Sequence, residues 1–501
     1  MPILDRIPLN SSDKFDLLLK TIACQVHGAV SSLSDEFNVS RKAVYSAKYA
    51  AQSALKCLVT TNDESDVITS VNVDVPHLRR SIVALSITAP NSIRAIEEQI
   101  PLIYPGCKVS YGYIQGVIVE AQEQAKLFNE KVSLSAIKSV AIDEMFSQGD
   151  PVLAGIDLES GYLFSLSHEQ KRDGETWARV LGEAKSQGLS PQHVVKDGAK
   201  GIAKGVSMSF EHAEQRDDAF HALYIVGKAL RKVERRAYYY IDKEASLEKR
   251  LHKDVFDTEK KQQAMVDLLG VQAKCEQAIE QYESGTKSRN HLHQALTSIS
   301  MKTGSLMTKK QAEALLTKAV DGLKNTEHKD GITAARYIKN RLKGLTLATQ
   351  ALHEKLLKLG ELYPQECVEV ACRFSERKRQ LRKAKPWKIA RYQKELVGSY
   401  QWLRLRLGKS ASELMLQVEA LHQTRHRASS AIEGFNATLR SYLYVRKGVN
   451  QGFLELFKAW YNLRSRRWGK HKGTSSYQNI TGKKVDDWLT MLNFPPSDLH
   501  H

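Results

Sequence analysis

Strand-like patterns in this sequence are confined to residues 139–197, and helical patterns dominate on both sides of them. Residues 139–146 form an apolar run short enough to be a buried strand. Residues 152–166 alternate apolar and polar side chains around a turn at Gly161, which predicts a β-hairpin. A helical stretch and a second apolar run at residues 193–197 follow. This order of elements predicts an α/β core with mixed strand pairing.

Helical patterns fill the rest of the chain and divide it into several segments. A length of 501 residues is too great for one ordinary domain. We expect helical modules before the α/β core and a large all-α insertion that interrupts it. The predicted segments are 1–60 (helix-turn-helix domain), 61–135 (second helical DNA-binding or packing domain), 136–228 (first part of the core), 229–422 (insertion), 423–475 (last part of the core) and 476–501 (C-terminal tail).

Three acidic residues occupy positions where a carboxylate is costly to bury. Asp143 lies inside the first apolar run, Asp197 closes the second run just before Gly198, and Glu433 lies on an amphipathic helix predicted for residues 429–443. A buried carboxylate needs a partner that offsets its lost hydration. A shared divalent cation is the most economical partner for three acids on separate elements.

Hard cations prefer carboxylate oxygens, so these three acids predict a site for Mg²⁺ or Mn²⁺. Two such ions roughly 3.5 to 4 Å apart can activate a nucleophile and support the leaving oxygen in phosphodiester cleavage. We therefore expect two ions per active site, held by Asp143, Asp197 and Glu433. Two nearby acids compete for these roles. Glu144 should face away from Asp143 on a strand, and Asp157 is expected to be a turn residue of the hairpin.

Composition favours a polyanionic partner. The chain has 74 Lys and Arg against 56 Asp and Glu, a formal charge of +18. Neutralising phosphates releases counterions and gives affinity that does not depend on sequence, which makes nucleic acid the natural candidate. The six cysteines form no CxxC pair and no zinc-like cluster with histidine, which argues against a zinc finger and a disulfide framework. Without a signal-peptide pattern or a long apolar run, the sequence predicts a soluble intracellular protein and no membrane partner.

A helix-turn-helix pattern lies near the N-terminus. We expect a first helix with a capping-box start at Ser32 to Asp35, a turn at Asn38 that tolerates a left-handed backbone, and a second helix capped by Ser40. The outward side chains of the second helix could meet phosphates and base edges in a major groove; these are Arg41, Lys42, Tyr45 and Lys48. A purely structural helical hairpin has the same spacing and is an alternative interpretation.

Two basic stretches also favour phosphate contact. Residues 373–391 and residues 440–472 each carry nine Lys or Arg against one acid, with aromatic residues interleaved. In the helix of Glu433, the polar residues Asn436 and Arg440 follow at helical spacing beside an apolar stripe, so one face can pack while the next meets DNA. The candidate DNA contacts in this region are Asn436, Arg440, Arg446 and Lys447.

Several short motifs resemble those of DDE transposases of bacterial insertion sequences. They are Ala141-Ile-Asp143-Glu144, Gly155-Ile-Asp-Leu-Glu-Ser-Gly161, Val195-Lys-Asp197-Gly-Ala and Ser430-Ala-Ile-Glu433-Gly-Phe-Asn436-Ala-Thr-Leu-Arg440. A further motif, Asp218-Ala-Phe-His221, is similar to the acid-x-x-His signature of the Mutator-like and hAT-like branch. The resemblance covers residues 139–467 in outline. Within the predicted insertion, nothing matches residue by residue.

This resemblance implies an RNase H-like catalytic core, broken by a helical insertion before Glu433. It implies a transposase that binds the terminal repeats of its element and cuts and joins strands at the Asp143, Asp197 and Glu433 site. His221 would lie close to these acids, although a hydrogen-bonded core histidine is an equally good interpretation. The implied partners are double-stranded DNA, as transposon ends and target, and further copies of the chain in a homodimer or larger assembly. The implied location is the bacterial cytoplasm, in association with the nucleoid.

Two other functions fit parts of the sequence. A tyrosine recombinase is suggested by Arg425-His426-Arg427 near Tyr442 and Tyr444, but that chemistry leaves the strand-borne aspartates unexplained. A sequence-specific DNA-binding regulator derived from a transposase would need no intact metal site. The presence of all three acids argues against a regulator of this kind.

Overall fold

The computed structural model describes residues 10–23, 28–60, 73–252, 258–301, 303–424, 430–446 and 448–496. The chain forms two compact units that divide between Asp74 and Val75. Most described residues are helical, and one sheet lies in the second unit. No helix in the described ranges combines the length and the apolar character that crossing a bilayer requires.

The first unit contains three helices, α1 (Ser11–Ala23), α2 (Ala29–Glu36) and α3 (Arg41–Thr60). Leu17, Leu33 and Val44, one from each helix, form its small buried core. The turn between α2 and α3 has the predicted chemistry. Asn38 adopts a positive φ of 46°, and the Ser40 hydroxyl accepts a hydrogen bond from the amide of Ala43 at 3.1 Å.

The predicted start of α2 is wrong. The helix begins at Ala29 after Gly28, which has a φ of 91°, so the Ser32 to Asp35 motif lies inside the helix. A capping-box spacing recurs by chance within helices, and Gly28 supplies the backbone freedom that the entry requires.

The second unit is built around a five-stranded mixed sheet. Its strands are β1 (Ser139–Ser147), β2 (Asp150–Asp157), β3 (Leu163–His168), β4 (His193–Lys196) and β5 (Glu214–Asp217), in the order β3-β2-β1-β4-β5. The first three strands pair antiparallel, and β4 and β5 add to β1 in parallel. The mixed pairing predicted from the pattern is therefore confirmed. The strand β5 was not predicted, because its four residues, Glu-Gln-Arg-Asp, carry no apolar signal.

Helices of the second unit cover the sheet and extend away from it. They are α4 (Val75–Thr88), α5 (Ile93–Ile103), α6 (Tyr111–Lys131), α7 (Gly174–Ser186), α8 (Lys200–Ser209), α9 (Ala219–Leu251), α10 (Thr258–Ala295), α11 (Lys309–Lys324), α12 (Lys329–Lys339), α13 (Leu342–Leu359), α14 (Gln365–Leu381), α15 (Pro386–Leu407), α16 (Ser410–Gln423), α17 (Ser430–Val445), α18 (Gln451–Leu463) and α19 (Ser476–Thr481).

One hydrophobic core joins both ends of the second unit to the sheet. Buried residues of α4, α5 and α6 share it with the strands, with α7 and α8, and with α17 and α18. Helices α4, α5 and α6 thus pack as part of the sheet-containing core. Two further apolar clusters lie in the helical region, one centred on α9, α11 and α12 and the other on α13, α14 and α16.

The C-terminal helix α18 completes the sheet edge through one buried side chain. Asn462 accepts a hydrogen bond from the amide of Leu163 and donates to its carbonyl, both at 2.8 Å, so it satisfies β3 as a further strand would. Aromatic packing reinforces the contact between α17 and α18, since Phe435 lies edge-on to both Phe457 and Tyr461.

We expect Asn462→Ala to lower the free energy of unfolding by roughly 2–4 kcal/mol, because it leaves two buried backbone groups of Leu163 without partners. Thermal or urea unfolding of the full chain measures this loss. Asn479→Ala, a change at a partly exposed position on the neighbouring α19, should cost less than about 0.5 kcal/mol. Equal stability of the two variants would show that the Asn462 contact does not hold the edge.

Candidate active site

Asp143 and Asp197 lie side by side at the centre of the sheet. Asp143 is in the middle of β1, opposite Ala154 of β2. The last parallel pair between β1 and β4 joins Ile142 to Lys196, so Asp197 follows β4 at the level of Asp143. Side chains of neighbouring parallel strands at one level share a face of the sheet. The sequence pattern therefore placed the first two acids in the correct relation.

Two hydrogen bonds hold the Asp143 carboxylate. The backbone amide of Glu144 donates to Oδ1 at 2.9 Å, and the side-chain amide of Asn436 donates to Oδ2 at 2.7 Å. Burial, helped by the negative charges of Asp197 and Glu433, nevertheless raises the pKa of Asp143 to about 7 against these two bonds. Three acids from distant parts of the chain thus act on one another electrostatically.

Helix α17 brings Glu433 to this region. Ile432, Phe435 and Leu439 are fully buried against the sheet, and Glu433 projects from the same helix half-buried. Asn436, one turn later, is buried as well, and its Oδ1 has no hydrogen-bond partner among the described residues. The expectation that Asn436 contacts DNA is not met, because its amide points to Asp143 instead. Its spacing of three residues from Glu433 could have indicated this role.

The turn after Asp197 is fixed by a residue from the helical region. The Asp197 Oδ1 accepts from the amide of Ala199 at 2.8 Å, and the Arg341 guanidinium donates to the Gly198 carbonyl at 2.7 Å. A Cβ atom at Gly198 would lie 2.4 Å from that guanidinium, so only glycine allows this approach. Arg341 lies between α12 and α13 in the predicted insertion, where no local motif marked it.

Arg341 also belongs to an ion-pair group at the end of β5. Its Nε lies 3.8 Å from Oδ1 of Asp217, and Lys196 Nζ lies 3.2 Å from the same oxygen. Burial raises the pKa of Asp217 although both cations oppose the change. These charges lie beside Asp197, because Lys196 precedes it in the chain and Asp217 pairs with Lys196 across β4 and β5. No pattern in the sequence marked Lys196, Asp217 or Arg341 as parts of this site.

His221 lies in the first turn of α9. Asp218 begins this helix by accepting a hydrogen bond from the amide of Phe220 at 2.6 Å. The His221 ring is half-buried and packs against Tyr337, with ring centroids 5.8 Å apart. Burial raises the pKa of Tyr337, and the charges of Asp217, Asp197 and Asp218 raise it further. His221 is therefore one side chain removed from the acidic cluster.

No three His, Cys, Asp or Glu residues in the described ranges are arranged so that they could hold a metal ion. Asp143, Asp197 and Glu433 therefore interact as charges without forming a coordination cage. Their donor atoms still suit a hard divalent cation, because all are oxygens and a buried oxygen of Asn436 without a partner lies beside them. In this conformation the Asn436 amide occupies one oxygen of Asp143.

The neighbouring acids have structural contacts. Glu144 faces away from Asp143, where it accepts hydrogen bonds from the Trp177 indole at 3.0 Å and from Arg172 at 2.8 Å. Asp157 accepts from the amide and hydroxyl of Ser160 and so closes the hairpin turn. The sequence-based expectations for both acids agree with these contacts.

The predicted DNA contacts differ in how accessible they are. Arg41, Lys42 and Tyr45 are exposed on α3, Lys48 is half-exposed, and Arg440 is exposed on α17. Arg446 is placed differently from our expectation. Its guanidinium donates to the carbonyl of Ser86 at 3.2 Å and lies 4.0 Å from the centre of the Phe453 ring. Lys447 and the Arg425-His426-Arg427 motif lie outside the described residues.

The tyrosine recombinase interpretation loses one of its two candidate nucleophiles. Tyr442 is buried, and its hydroxyl donates to the carbonyl of Ile87 at 2.7 Å inside the core. Tyr444 is exposed two residues later on the same helix.

Four of the nine cations in the first basic stretch are paired with acids within the fold. Arg377 pairs with Glu395 at 2.6 Å, Lys378 pairs with Glu419 at 2.9 Å, and Arg379 pairs with Glu376 at 2.5 Å. Glu395 and Glu419 come from α15 and α16, so the one-sided charge of the local sequence did not reveal them. This stretch offers less free positive charge than its composition indicated.

Residues 140–354 match a family model of the ISL3 family of DDE transposases, described as a transposase. The matched segment is less than half of the chain; it contains Asp143, Asp197 and His221 and ends before Glu433. The match supports a transposase. Among solved structures, the strand transfer complex of Drosophila P element transposase aligns with 82% of this chain and 97% of that chain, at 12% identity and a TM-score of 0.28. A likeness this low carries no argument about fold. No curated protein matches the chain.

We expect Asp143→Asn to stabilise the metal-free protein at pH 8 by roughly 1–3 kcal/mol. The folded protein binds the Asp143 proton more tightly than the unfolded chain, so the native state loses stability as pH rises from the ordinary aspartate range to about 7. The gain should therefore disappear near pH 4. Melting temperatures at both pH values measure it, and Asp150→Asn, an exposed change on β2, should show no such dependence. A gain that is equal at pH 4 and pH 8 would contradict the electrostatic origin.

Proposed function

We propose that the protein is a DNA transposase whose active site is formed by Asp143, Asp197 and Glu433. The observation that carries the proposal is that Asp197 lies level with Asp143 on the neighbouring strand, while Asn436 of the remote helix that carries Glu433 bonds to Asp143. Burial and the charges of Asp197 and Glu433 also raise the pKa of Asp143. Perturbed carboxylates in a cluster are typical of catalytic sites. The transposase family match across the first two acids supports the same function.

We also infer that the five-stranded sheet is an RNase H-like core. Two acids lie on its adjacent central strands, β1 and β4, and a long helical region separates them in sequence from the helix that carries the third acid. This is the order that the sequence resemblance implied. We extend the proposal to a finer assignment, in which the protein is a transposase of the Mutator-like and hAT-like branch and is encoded by a bacterial insertion sequence.

Asp143, Asp197 and Glu433 would hold two Mg²⁺ or Mn²⁺ ions, with Oδ1 of Asn436 as a further oxygen at the same place. When bound, such ions activate the attacking hydroxyl and neutralise charge on the phosphate. Bound ions of this kind would favour the ionised form of Asp143, and the Asn436 amide would have to release the Asp143 oxygen for that oxygen to serve as a ligand. Arg341 keeps the turn of Asp197 in place through the Gly198 carbonyl.

The proposed reaction has two steps on DNA. Water attacks a phosphodiester at the end of the element, so that one P–O bond forms while another breaks and a 3′-hydroxyl is released. That hydroxyl then attacks a phosphodiester of the target DNA. We assign recognition of the element's ends to α3, through Arg41, Lys42, Tyr45 and Lys48, and we propose that the chain acts as a homodimer or larger assembly on double-stranded DNA in the bacterial cytoplasm.

One observation favours a second candidate function, a DNA-binding regulator derived from a transposase. No three metal-binding side chains are grouped in the described residues, as expected if catalysis has been lost. A single assay separates the two functions, because a regulator binds DNA and cuts nothing at any metal concentration.

We expect the full chain to cleave duplex DNA that carries its element's ends only when Mg²⁺ or Mn²⁺ is present. Asp143→Asn, Asp197→Asn and Glu433→Gln should each abolish cleavage while DNA affinity remains within about twofold, because the acids hold the metal ions and not the duplex. Gel analysis of end-labelled oligonucleotides measures cutting, and Asp150→Asn serves as the exposed carboxylate control. Unchanged cutting by Asp143→Asn would refute the assigned site.

We expect the double change Arg41→Gln and Lys42→Gln to weaken binding of end DNA. It should also reduce the slope of log affinity against log salt by about one for each phosphate that the helix no longer neutralises. Fluorescence anisotropy at several salt concentrations measures both quantities. Lys14→Gln, an exposed change on α1, provides the matched control for the removed charge. An identical effect of the control and the double change would remove α3 as the recognition helix.

A further inference from the structure

The loop between α18 and α19 carries unpaired positive charge beside exposed aromatic surface. We call residues 464–475 the tryptophan loop. It contains five cations and no acid; the cations are Arg464, Arg466, Arg467, Lys470 and Lys472. No ion pair joins any of them to a carboxylate in the part of the chain that the structure describes. In the first basic stretch, by contrast, Arg377, Arg379 and Arg391 are each paired with an acid.

The tryptophan loop is held in one conformation by its own backbone. The amide of Arg466 donates to the carbonyl of Thr474 at 3.0 Å, and the amide of Gly473 donates back to the carbonyl of Arg466 at 2.8 Å. Gly469 and Gly473 adopt positive φ values of 88° and 85°, which close the tip. The side chains at the tip, including Trp468, are therefore presented on a preformed support.

A cavity of about 510 Å³ lies against this loop. Its wall includes three tryptophans and three arginines, namely Trp460, Trp468, Trp488, Arg464, Arg466 and Arg467. The volume lies within the range of about 300–1,000 Å³ that small-ligand sites occupy. The Trp468 side chain is 79% exposed at this cavity, so it offers a free aromatic face beside the arginines.

Aromatic rings hold the arginines in place of carboxylates. The Arg464 guanidinium lies 4.0 Å from the centre of the Trp460 ring, and Arg466 lies 4.2 Å from the centre of the Tyr461 ring. Burial lowers the pKa of Arg464, and the charge of Arg466 lowers it further, so two uncompensated cations lie close together. A bound anion would relieve this repulsion.

The cavity is distinct from the carboxylate cluster. Arg466 donates to the carbonyl of Gly161 at 3.4 Å, in the turn between β2 and β3, and this turn lies beside Ser139 at the start of β1. Asp143 is four residues further along the strand, roughly 13 Å away at the usual rise per residue. A ligand in the cavity would therefore lie at the opposite end of β1 from the turn that follows Asp197.

We infer that the tryptophan loop and its cavity bind an unpaired nucleotide of a DNA strand, with the base stacked on Trp468 and its phosphate contacted by Arg467 and Arg464. A planar apolar ring that carries a negative charge satisfies both the tryptophans and the arginines. Stacking on an exposed aromatic side chain favours single strands, because bases within a duplex are already stacked. The inference deepens the proposed function, since it takes DNA as the ligand.

The test compares single-stranded and duplex DNA in buffer without divalent cations. Fluorescence anisotropy is measured with a labelled oligothymidylate and with a blunt duplex of equal length, using the full chain. Trp468→Ala should weaken single-strand binding about tenfold or more, the effect expected when one base no longer stacks on the protein. Duplex binding should change less than about twofold. Trp387→Ala, which removes a 70% exposed tryptophan on α15, is the matched control and should change neither.

Other outcomes are equally informative. Equal losses for single strands and duplex would reduce the loop to a plain phosphate contact, and no loss for either would exclude DNA from the cavity. Displacement of the oligothymidylate by polyglutamate at equal charge concentration would indicate an acidic protein partner instead. Each of these three results would overturn the inference. Trp468→Phe, which keeps an aromatic face, should restore most of the affinity. Because binding is measured without metal ions, failure of strand cleavage in the separate assay would leave this result intact.

Discussion

The hydrogen bond from Asn436 to Asp143 joins two residues 293 positions apart, and the arrangement of the acidic cluster depends on it. It connects the centre of the sheet to a helix that follows the entire helical region. Apolar packing of Ile432, Phe435 and Leu439 seats α17 against the sheet, and this bond sets the contact between its polar face and Asp143. The same bond keeps a carboxylate in an environment whose burial and neighbouring charges favour its protonated form. Asn436 thus opposes part of the cost of burying the Asp143 charge.

Much of the sheet could be predicted from the sequence, because strands buried on both faces give short apolar runs and the hairpin turn has a distinctive glycine. The adjacency of Asp143 and Asp197 followed from those runs. The polar edge strand β5 escaped prediction because it carries no apolar pattern. The role of Asn436 was misread because a helical polar face was taken to be a solvent face. Arg341 and Asp217 were missed because they meet only through the three-dimensional fold.

The charge that each basic stretch presents to a ligand also could not be predicted from its local sequence. Two stretches of equal basic composition differ in the structure. Helices α15 and α16 supply acids to the first stretch, whereas the cations of the tryptophan loop contact aromatic rings, backbone and the Ser476 hydroxyl and pair with no carboxylate among the described residues. Net charge within a segment therefore says little about the charge that it presents to a ligand. The contacts between helices determine which cations remain available.

The contact between Arg341 and Gly198 has a consequence for the architecture as a whole. A side chain rooted in the helical region reaches the backbone directly behind one of the candidate metal ligands. The helices between α9 and α16 therefore support the turn that carries Asp197. A shortened protein that joins the two halves of the sheet-containing core directly would lose this support, because Arg341 lies between α12 and α13.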